Sequence, residues 1–373
     1  MSTAASPEVV PRLRHAVFHQ LRVASIERLT EDAVAVTFDV PEDLREQFRF
    51  RAGQHVSVRA DELGEDVRRN YSICAPATGG PLRIGVKRIP EGVFSNFVNE
   101  RLRTGDILDV MTPTGTFSPD LDPAQAKRYV AIAAGSGITP VLSILATALE
   151  VEQQSTAALV YVNLRTSTIM FLEELEDLKN RFPARFQILH VLDEEITEVE
   201  LLSGRLDAER LNRILDTVLP VDDVDDWYLC GPLAMTDTVQ AALLDRGVDT
   251  GHIHRELFHV VPLGTQQSTP SRAEADQADV GGSAVTVVLD GRSLTFNLAR
   301  DGSSILEATL RARPDAPYAC KHGVCGTCRA RVLEGEVEMD TNYALEPDEI
   351  ARGVVLTCQS HPVTDRVTVD FDQ

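Results

Sequence analysis

Residues 128–149 read RYVAIAAGSGITPVLSILATAL: a continuous apolar run, a glycine turn at Gly135-Ser136-Gly137, then apolar residues at helical spacing. A short apolar run bounded by a turn is the pattern of a strand buried on both faces, and the stretch after it reads as a helix. The strand-like segments ALVYVN (158–163), FQILHVL (186–192) and WYLCGP (227–232) follow at wide intervals, with helical IMFLEELEDLKNRF (169–182) and LAMTDTVQAALLDRG (233–247) between or after them. Strands alternating with helices predict an α/β domain with a parallel sheet, over 121–262. A dinucleotide meets such a sheet where a strand turns into a helix, which makes Gly135, Ser136, Gly137, Ile138 and Thr139 candidate contacts. Standing alone, the glycine turn would equally suit a plain tight connection.

Upstream, residues 15–120 carry short strands separated by turn signals, among them AVAVTFDV, HVSVRA, RNYSICA, LRIGVKRI and DILDVM. That spacing predicts a small antiparallel β-barrel or sandwich, with the barrel taken as the fold of this domain. One stretch departs from it: GVFSNFVNERL (92–102) repeats Phe94, Phe97, Val98 and Leu102 at helical spacing. Downstream, residues 263–284 lack periodicity and are rich in small polar residues, as in a flexible linker. The last block, 285–373, begins with alternating strands around Asp290-Gly291, a hairpin signal, followed by the serine-capped helical pattern SSILEATLRAR. No internal repeat is present.

The chain has 373 residues, a net charge of −21 and six cysteines. No block is basic, so a polyanionic partner such as nucleic acid is excluded. No window approaches the roughly 18 apolar residues of a membrane span, and the first twenty residues lack a signal-peptide core. A cytoplasmic protein without membrane contact is the expectation, and in a reducing compartment permanent disulfides are rare.

Four of the six cysteines nonetheless cluster. ACKHGVCGTC (319–328) holds Cys320, Cys325 and Cys328 at C-x4-C-x2-C spacing, and Cys358 follows alone. A disulfide, a structural zinc and an iron–sulfur cluster are the possible uses. Zinc sites more often pair two C-x2-C knuckles, and only one is present. The observed spacing is the ligand pattern of plant-type [2Fe–2S] ferredoxins, with Cys320, Cys325, Cys328 and Cys358 as ligands. Gly323 and Gly326 allow the backbone to curl with its N–H groups toward the sulfurs.

Residues YACKHGVCGTCRARVLEGEVEM and VVLTCQS closely resemble a ferredoxin domain of β-grasp (α+β) fold. RRNYSICA (68–75) resembles the R-x-Y-S motif of the ferredoxin–NADP reductase family, a likeness covering about residues 18–260. That resemblance implies an FAD site in which Arg69 pairs with phosphate, Tyr71 lies against the isoalloxazine ring and Ser72 bonds near its N5. It further implies that Gly92, Val93, Ser95 and Asn96 bind the pyrophosphate, where a helix N-terminus offers free N–H groups, and that PTGTF (113–117) closes the barrel. Cys230, Gly231 and Pro232 match the segment beside the nicotinamide, and Glu256 with Phe258 the acidic and aromatic residues at the flavin edge. Ser72, Cys230 and Glu256 are thereby the candidate catalytic residues. A buried structural cysteine is the plain alternative for Cys230, and Cys74 reads as core. YVNLRTST departs from the usual Asn-Arg pair, with Leu164 between Asn163 and Arg165. Arg165, Thr166, Ser167 and Arg205 could hold the 2′-phosphate of NADPH, with NADH the other possible donor and a solvated Arg165 the plain alternative.

FHQLRVASIERLTEDAVAVTFDVP (18–41) and VEMDTNYALEPDEIARGVVLTCQSHP (337–362) resemble the reductase subunits of phenylacetyl-CoA epoxygenase complexes. The resemblance implies electron flow from NADPH through FAD and the cluster to a separate di-iron oxygenase in aerobic phenylacetate breakdown. Reductases of steroid hydroxylases or aromatic-ring dioxygenases are the nearest alternatives, and a non-enzymatic zinc-binding module is a more distant one. No E-x-x-H pairs in this chain are arranged as a di-iron site, so oxygen chemistry would belong to the partner.

Overall fold

A computed structural model describes residues 18–64, 67–257, 282–313 and 316–372. These divide into two compact units, one within residues 17–264 and one from residue 265 onward.

The first unit begins with six antiparallel strands: β1 (Phe18–Thr30), β2 (Ala33–Asp39), β3 (His55–Arg59), β4 (Arg68–Ser72), β5 (Arg83–Lys87) and β6 (Ile107–Met111), in the order β4-β3-β6-β1-β2-β5. A bridge between Ile73, just past β4, and Ile84 in β5 joins the two edges, so the sheet closes into a barrel. Val34, Val36, Val56, Val58, Ile84, Val86, Leu108 and Val110 fill its interior. Strand β1 is not announced by the sequence, because a register shift between Val23 and Ser25 resets its alternation midway. Helix α1 (Val93–Glu100) lies on the expected stretch and buries Phe94, Phe97 and Val98.

Five parallel strands follow: β7 (Arg128–Ala134), β8 (Thr156–Asn163), β9 (Phe186–Leu192), β10 (Asp226–Gly231) and β11 (Ile253–Leu257), in the order β11-β10-β7-β8-β9. Tyr129, Ala131 and Ala133 of β7 face one core with helix α2 (Ile138–Val151), while Val130 and Ile132 face the other with α4 (Ala208–Thr217) and α5 (Leu233–Asp245). Helix α2 is buried continuously from Ile138 to Leu149, which explains why it is apolar all round. The sheet covers one side and the barrel the other: Ser143 Oγ donates to the Ala75 carbonyl at 2.6 Å and the Ala77 N–H to Thr147 Oγ1 at 2.9 Å. Ala33, Ala35 and Phe117 of the barrel share one core with Ile144 and Leu145 of α2. At about 1.5–3 kcal/mol for each large side chain buried, this shared core fixes the two sheets relative to each other.

One helix is shorter than its sequence pattern. The stretch expected helical over 169–182 forms α3 only from Leu172 to Arg181, because Phe171 adopts φ 58° and ends the preceding turn. Ile169, Met170 and Phe171 are drawn into the core, and their burial overrides the helical pattern.

The second unit contains the hairpin β12 (Ser283–Leu289) and β13 (Arg292–Leu298), helix α6 (Ile305–Ala312), β14 (Arg329–Glu334), β15 (Val337–Met339), the short α7 (Pro347–Ala351), β16 (Val354–Leu356), β17 (Ser360–Pro362) and β18 (Arg366–Asp370). Its main sheet runs β13-β12-β18-β14-β16, with β12 and β18 parallel in the middle, a β-grasp arrangement. Asp290 and Gly291 take φ of 56° and 67°, as the expected two-residue turn requires. Ser304 caps α6 by accepting from the Glu307 N–H. The expected linker lies outside the described residues as far as 281; Ser283 and Ala284 already belong to β12, where the Ala284 N–H pairs with the Asp365 carbonyl at 2.8 Å. Among the described residues, no helix is long and apolar enough to cross a membrane.

Candidate functional site

The order of the parallel sheet reverses at β7, which lies between β10 and β8. Ligands of open α/β sheets bind at the carboxyl ends of the strands flanking such a point. There the Gly135–Gly137 turn after β7 presses against β10: a Cβ added at Gly137 would lie 2.2 Å from the Cys230 carbonyl oxygen. Gly231 is less confined, because the atom nearest its virtual Cβ, Met235 Cε at 2.7 Å, ends a flexible side chain. The Tyr161 hydroxyl donates to the Gly135 carbonyl at 2.9 Å and steadies the turn. Only glycine permits this closeness, which keeps a shallow floor between the two strand ends.

Cys230 pairs with Glu256 across β10 and β11, and Glu256 meets the barrel. Ser72 Oγ donates to Glu256 Oε2 at 3.0 Å, and His55 Nδ1 lies 3.9 Å from Oε1. Thr114 and His55 contact each other at 3.3 Å. The three candidate catalytic residues therefore converge from β4, β10 and β11. Burial pushes the Glu256 carboxyl up to about 8, although the Ser72 hydroxyl pulls it the other way. Burial first, and then the neighbouring Glu256, push the Cys230 thiol well above its usual range. At neutral pH this wall presents a hydroxyl, a carboxylic acid and a thiol: polar groups without net charge, as suits a neutral ring held out of water.

In β4, the Tyr71 ring rests 5.7 Å from that of Phe94 in α1, while Arg69 stands exposed with its guanidinium donating to the Arg68 carbonyl at 2.7 Å. Gly92 precedes α1, and no side chain caps the helix. A Cβ at Gly92 would meet Ser95 Oγ at 2.5 Å, so the glycine leaves room for the Ser95 hydroxyl at the start of the helix. Ser95 Oγ is engaged inward, accepting from the Ile89 N–H at 3.1 Å and donating to the Gly92 carbonyl. Val93 is 54% exposed beside it. Uncapped helix donors beside a glycine fit a pyrophosphate, and the neutral wall fits the flavin ring.

Two of the residues considered for a 2′-phosphate are already engaged. Arg165 forms an ion pair of 2.8 Å with Glu194, and the Thr166 N–H and Oγ1 donate to Glu195 at 2.7 and 2.9 Å. Ser167 and Arg205 are exposed, and Asn163 is buried at the end of β8.

In the second unit the four thiols pair off. Cys320 stands with Cys325 and Cys328 with Cys358, and this neighbourhood is the largest influence on each, holding Cys320 down to about 5 and Cys358 below the usual thiol range while Cys325 and Cys328 are pushed up. Backbone N–H groups of His322 and Gly323 also point at the sulfurs of Cys320 and Cys358. Gly323 and Gly326 have φ of 72° and 65°, the left-handed conformation the loop needs. Among the described residues no three His, Cys, Asp or Glu side chains converge as ligands of a single ion. Two thiol pairs instead fit a [2Fe–2S] cluster, which Cys320, Cys325, Cys328 and Cys358 would hold.

Cys74 is 2% exposed within the first unit's core. Phe258 lies outside the described residues. His55, Asp193, Glu194 and Glu195 escaped the sequence reading. Only the acidic triplet after FQILHVL carried a visible signal, since His55 acquires significance only through its distance from a residue some two hundred positions away.

Three family models match successive parts of the chain: an oxidoreductase FAD-binding domain over residues 20–118, an oxidoreductase NAD-binding domain over 131–241 and a 2Fe-2S iron-sulfur cluster binding domain over 287–363. The chain is 44% identical to one of the subunits of 1,2-phenylacetyl-CoA epoxidase from Escherichia coli (strain K12), across 95% of this chain and 98% of that protein. It is 34% identical to the ferredoxin reductase component of 3-ketosteroid-9-alpha-monooxygenase from Rhodococcus rhodochrous, across 94% and 96%. The fold is similar to that of phthalate dioxygenase reductase, with a TM-score of 0.57 and 24% identity over 95% of this chain and 98% of the other.

Proposed function

Because the chain belongs to the ferredoxin-reductase components of multicomponent oxygenases, the family that includes its phenylacetyl-CoA epoxidase relative, we propose that it supplies electrons to a di-iron oxygenase acting on phenylacetyl-CoA in the cytoplasm. The chain is an NAD(P)H oxidoreductase that transfers electrons by way of FAD and a [2Fe–2S] cluster. The 44% identity running nearly end to end carries the choice of partner, against 34% for the steroid-oxygenase reductase.

Nicotinamide gives two electrons as hydride, flavin can take two and release them singly, and the cluster carries one. The residues of this chain bind, orient and shield those groups. In this reading Arg69 and the first N–H groups of α1, with Gly92, Val93, Ser95 and Asn96, hold the pyrophosphate. Tyr71 supports the flavin ring. Gly135 to Thr139 and Cys230 to Pro232 form the floor on which the nicotinamide nucleotide lies. Ser72 and Glu256 keep a proton on their shared hydrogen bond at neutral pH, and Cys320, Cys325, Cys328 and Cys358 ligate the irons. The functional bounds are 15–120 for FAD, 121–262 for the nucleotide, and a cluster domain that begins with β12 at Ser283 rather than at 285 and runs to 373, with the linker ending before it.

Reconstitution tests the partner. The holoprotein is expected to support NAD(P)H-dependent oxidation of phenylacetyl-CoA with the oxygenase components of the epoxidase. Failure there, together with turnover of a ring-hydroxylating dioxygenase, would move the assignment to another oxygenase.

A further inference from the structure

The cysteine loop carries a fixed charge that ligation does not explain. Arg329 follows Cys328, and its guanidinium lies against Gly326, the residue after Cys325: a Cβ added at Gly326 would lie 3.0 Å from Arg329 Nη2 and 3.6 Å from both Cζ and Nε. Gly326 therefore serves twice, adopting φ 65° and leaving room for the guanidinium. The Arg329 N–H closes the turn by donating to the Gly326 carbonyl at 3.2 Å. In β14, Arg329 stands opposite Leu356 of β16, two residues before Cys358. The side chain is thus rooted where the loop meets the strand that leads to the last cysteine.

Helix α7 holds the guanidinium from its other side. Nη1 pairs with Glu349 Oε1 at 3.2 Å, the two side chains being 31% and 16% exposed. Glu349 Oε2 accepts from the Glu346 N–H at 3.0 Å, so one carboxylate caps its own helix and anchors the arginine. Nε, by contrast, is buried and has no partner in the chain. Buried N–H groups are normally satisfied, and a cluster of thiolates and sulfides brings acceptors that the chain alone lacks. The other cation of the loop, Lys321, is exposed, with Nζ 4.8 Å from the centre of the Tyr318 ring, and water screens it.

We infer that Arg329 and Glu349 set the reduction potential of the cluster, the guanidinium favouring the reduced form and the carboxylate tempering it. This rests on the cluster reading of the four cysteines. Thiolates and sulfides make the group anionic when oxidised, and the electron it receives from the flavin adds a further negative charge. A cation fixed beside it therefore favours reduction, and an anion opposes it. Arginine keeps its charge at every physiological pH, and a half-buried pair is screened less than a surface one. Neither residue ligates iron; both act through the field at the cluster, and so decide how readily it draws electrons from the flavin.

The test is a redox titration of the full-length holoprotein, followed by the paramagnetic signal of the reduced cluster, with iron measured in every variant. Arg329→Gln should lower the midpoint, so that the ratio of reduced to oxidised cluster at a fixed potential falls at least about tenfold, or about 59 mV for a one-electron couple. Arg329→Lys keeps the charge and should recover most of that shift. Glu349→Gln can still cap α7 and should move the midpoint the opposite way, by about threefold or more in the same ratio. Opposed signs are the signature of charge, since a loop merely loosened by either change would shift both variants alike. Shifts of the same sign, or changes below about twofold in both, would overturn the inference. If Arg329→Gln sheds its iron, Glu349→Gln decides alone, and a lowered or unmoved midpoint there overturns it. Wild-type protein that binds no iron would remove the cluster reading itself.

Discussion

Replacing Gly137 by alanine isolates the contact that shapes the nucleotide floor. Gly137 has φ −61° and ψ −9°, angles any residue adopts, so the substitution costs nothing in backbone conformation. Its whole effect is steric: the new methyl would lie 2.2 Å from the Cys230 carbonyl oxygen and 2.7 Å from the carbonyl carbon. The turn and β10 must part by about 0.8 Å to reach even the lower limit of tolerated contact. Both sides are backbone, and Cys230 is tied through the sheet to β7 and β11, so no side chain can rotate away. Overpacking of this kind costs about 1–3 kcal/mol of stability, and a displacement near 1 Å at a reacting centre costs about a hundredfold in rate. Stopped-flow reduction by NAD(P)H should therefore slow by about two orders of magnitude, while the visible spectrum of the bound cofactors stays unchanged. Gly135→Asn is the contrast: Gly135 has φ 53° and open space around its virtual Cβ, and Asn tolerates that region, so the cost should stay below about 1 kcal/mol. Gly137→Ala reducing within about twofold of the wild-type rate would refute the tight approach of the turn to β10.

Other changes probe the remaining parts of the site. Glu256 is raised from 4.5 to about 8, so the folded state holds a proton that the unfolded chain releases near 4.5; stability should fall as pH rises between these values. Glu256→Gln should remove that decline in denaturant titrations across the window, together with any limb near pH 8 in the rate of flavin reduction. In Cys358→Ser, iron analysis should show loss of the cluster, and cytochrome c reduction should fall at least about tenfold further than ferricyanide reduction. Ser304→Ala removes the cap of α6, at a cost of about 1 kcal/mol in the unfolding of the second unit; because the Leu306 N–H of that helix bonds the Thr357 carbonyl beside Cys358 at 2.9 Å, the cluster should also be lost faster on heating.

Much of this protein was legible along the chain. Alternation gave most of the barrel strands, continuous apolar runs gave the parallel sheet, and C-x4-C-x2-C with a distant cysteine gave the cluster loop, because these patterns depend on residues close in sequence or on a fixed local geometry. Where local pattern failed, packing had intervened: a bulge broke the alternation of β1, and burial of Phe171 delayed the start of α3. The chemistry of the site was decided later. Ser72 and Glu256 are 184 positions apart, and their contact exists only because the barrel and the parallel sheet share the core around α2. Arg165 looked in sequence like a cation waiting for a phosphate, yet the ends of β8 and β9 set it against Glu194, a partner that no spacing rule specifies. Periodicity follows from the geometry of one element, whereas charge pairing and pKa depend on what crossing elements bring within a few ångströms.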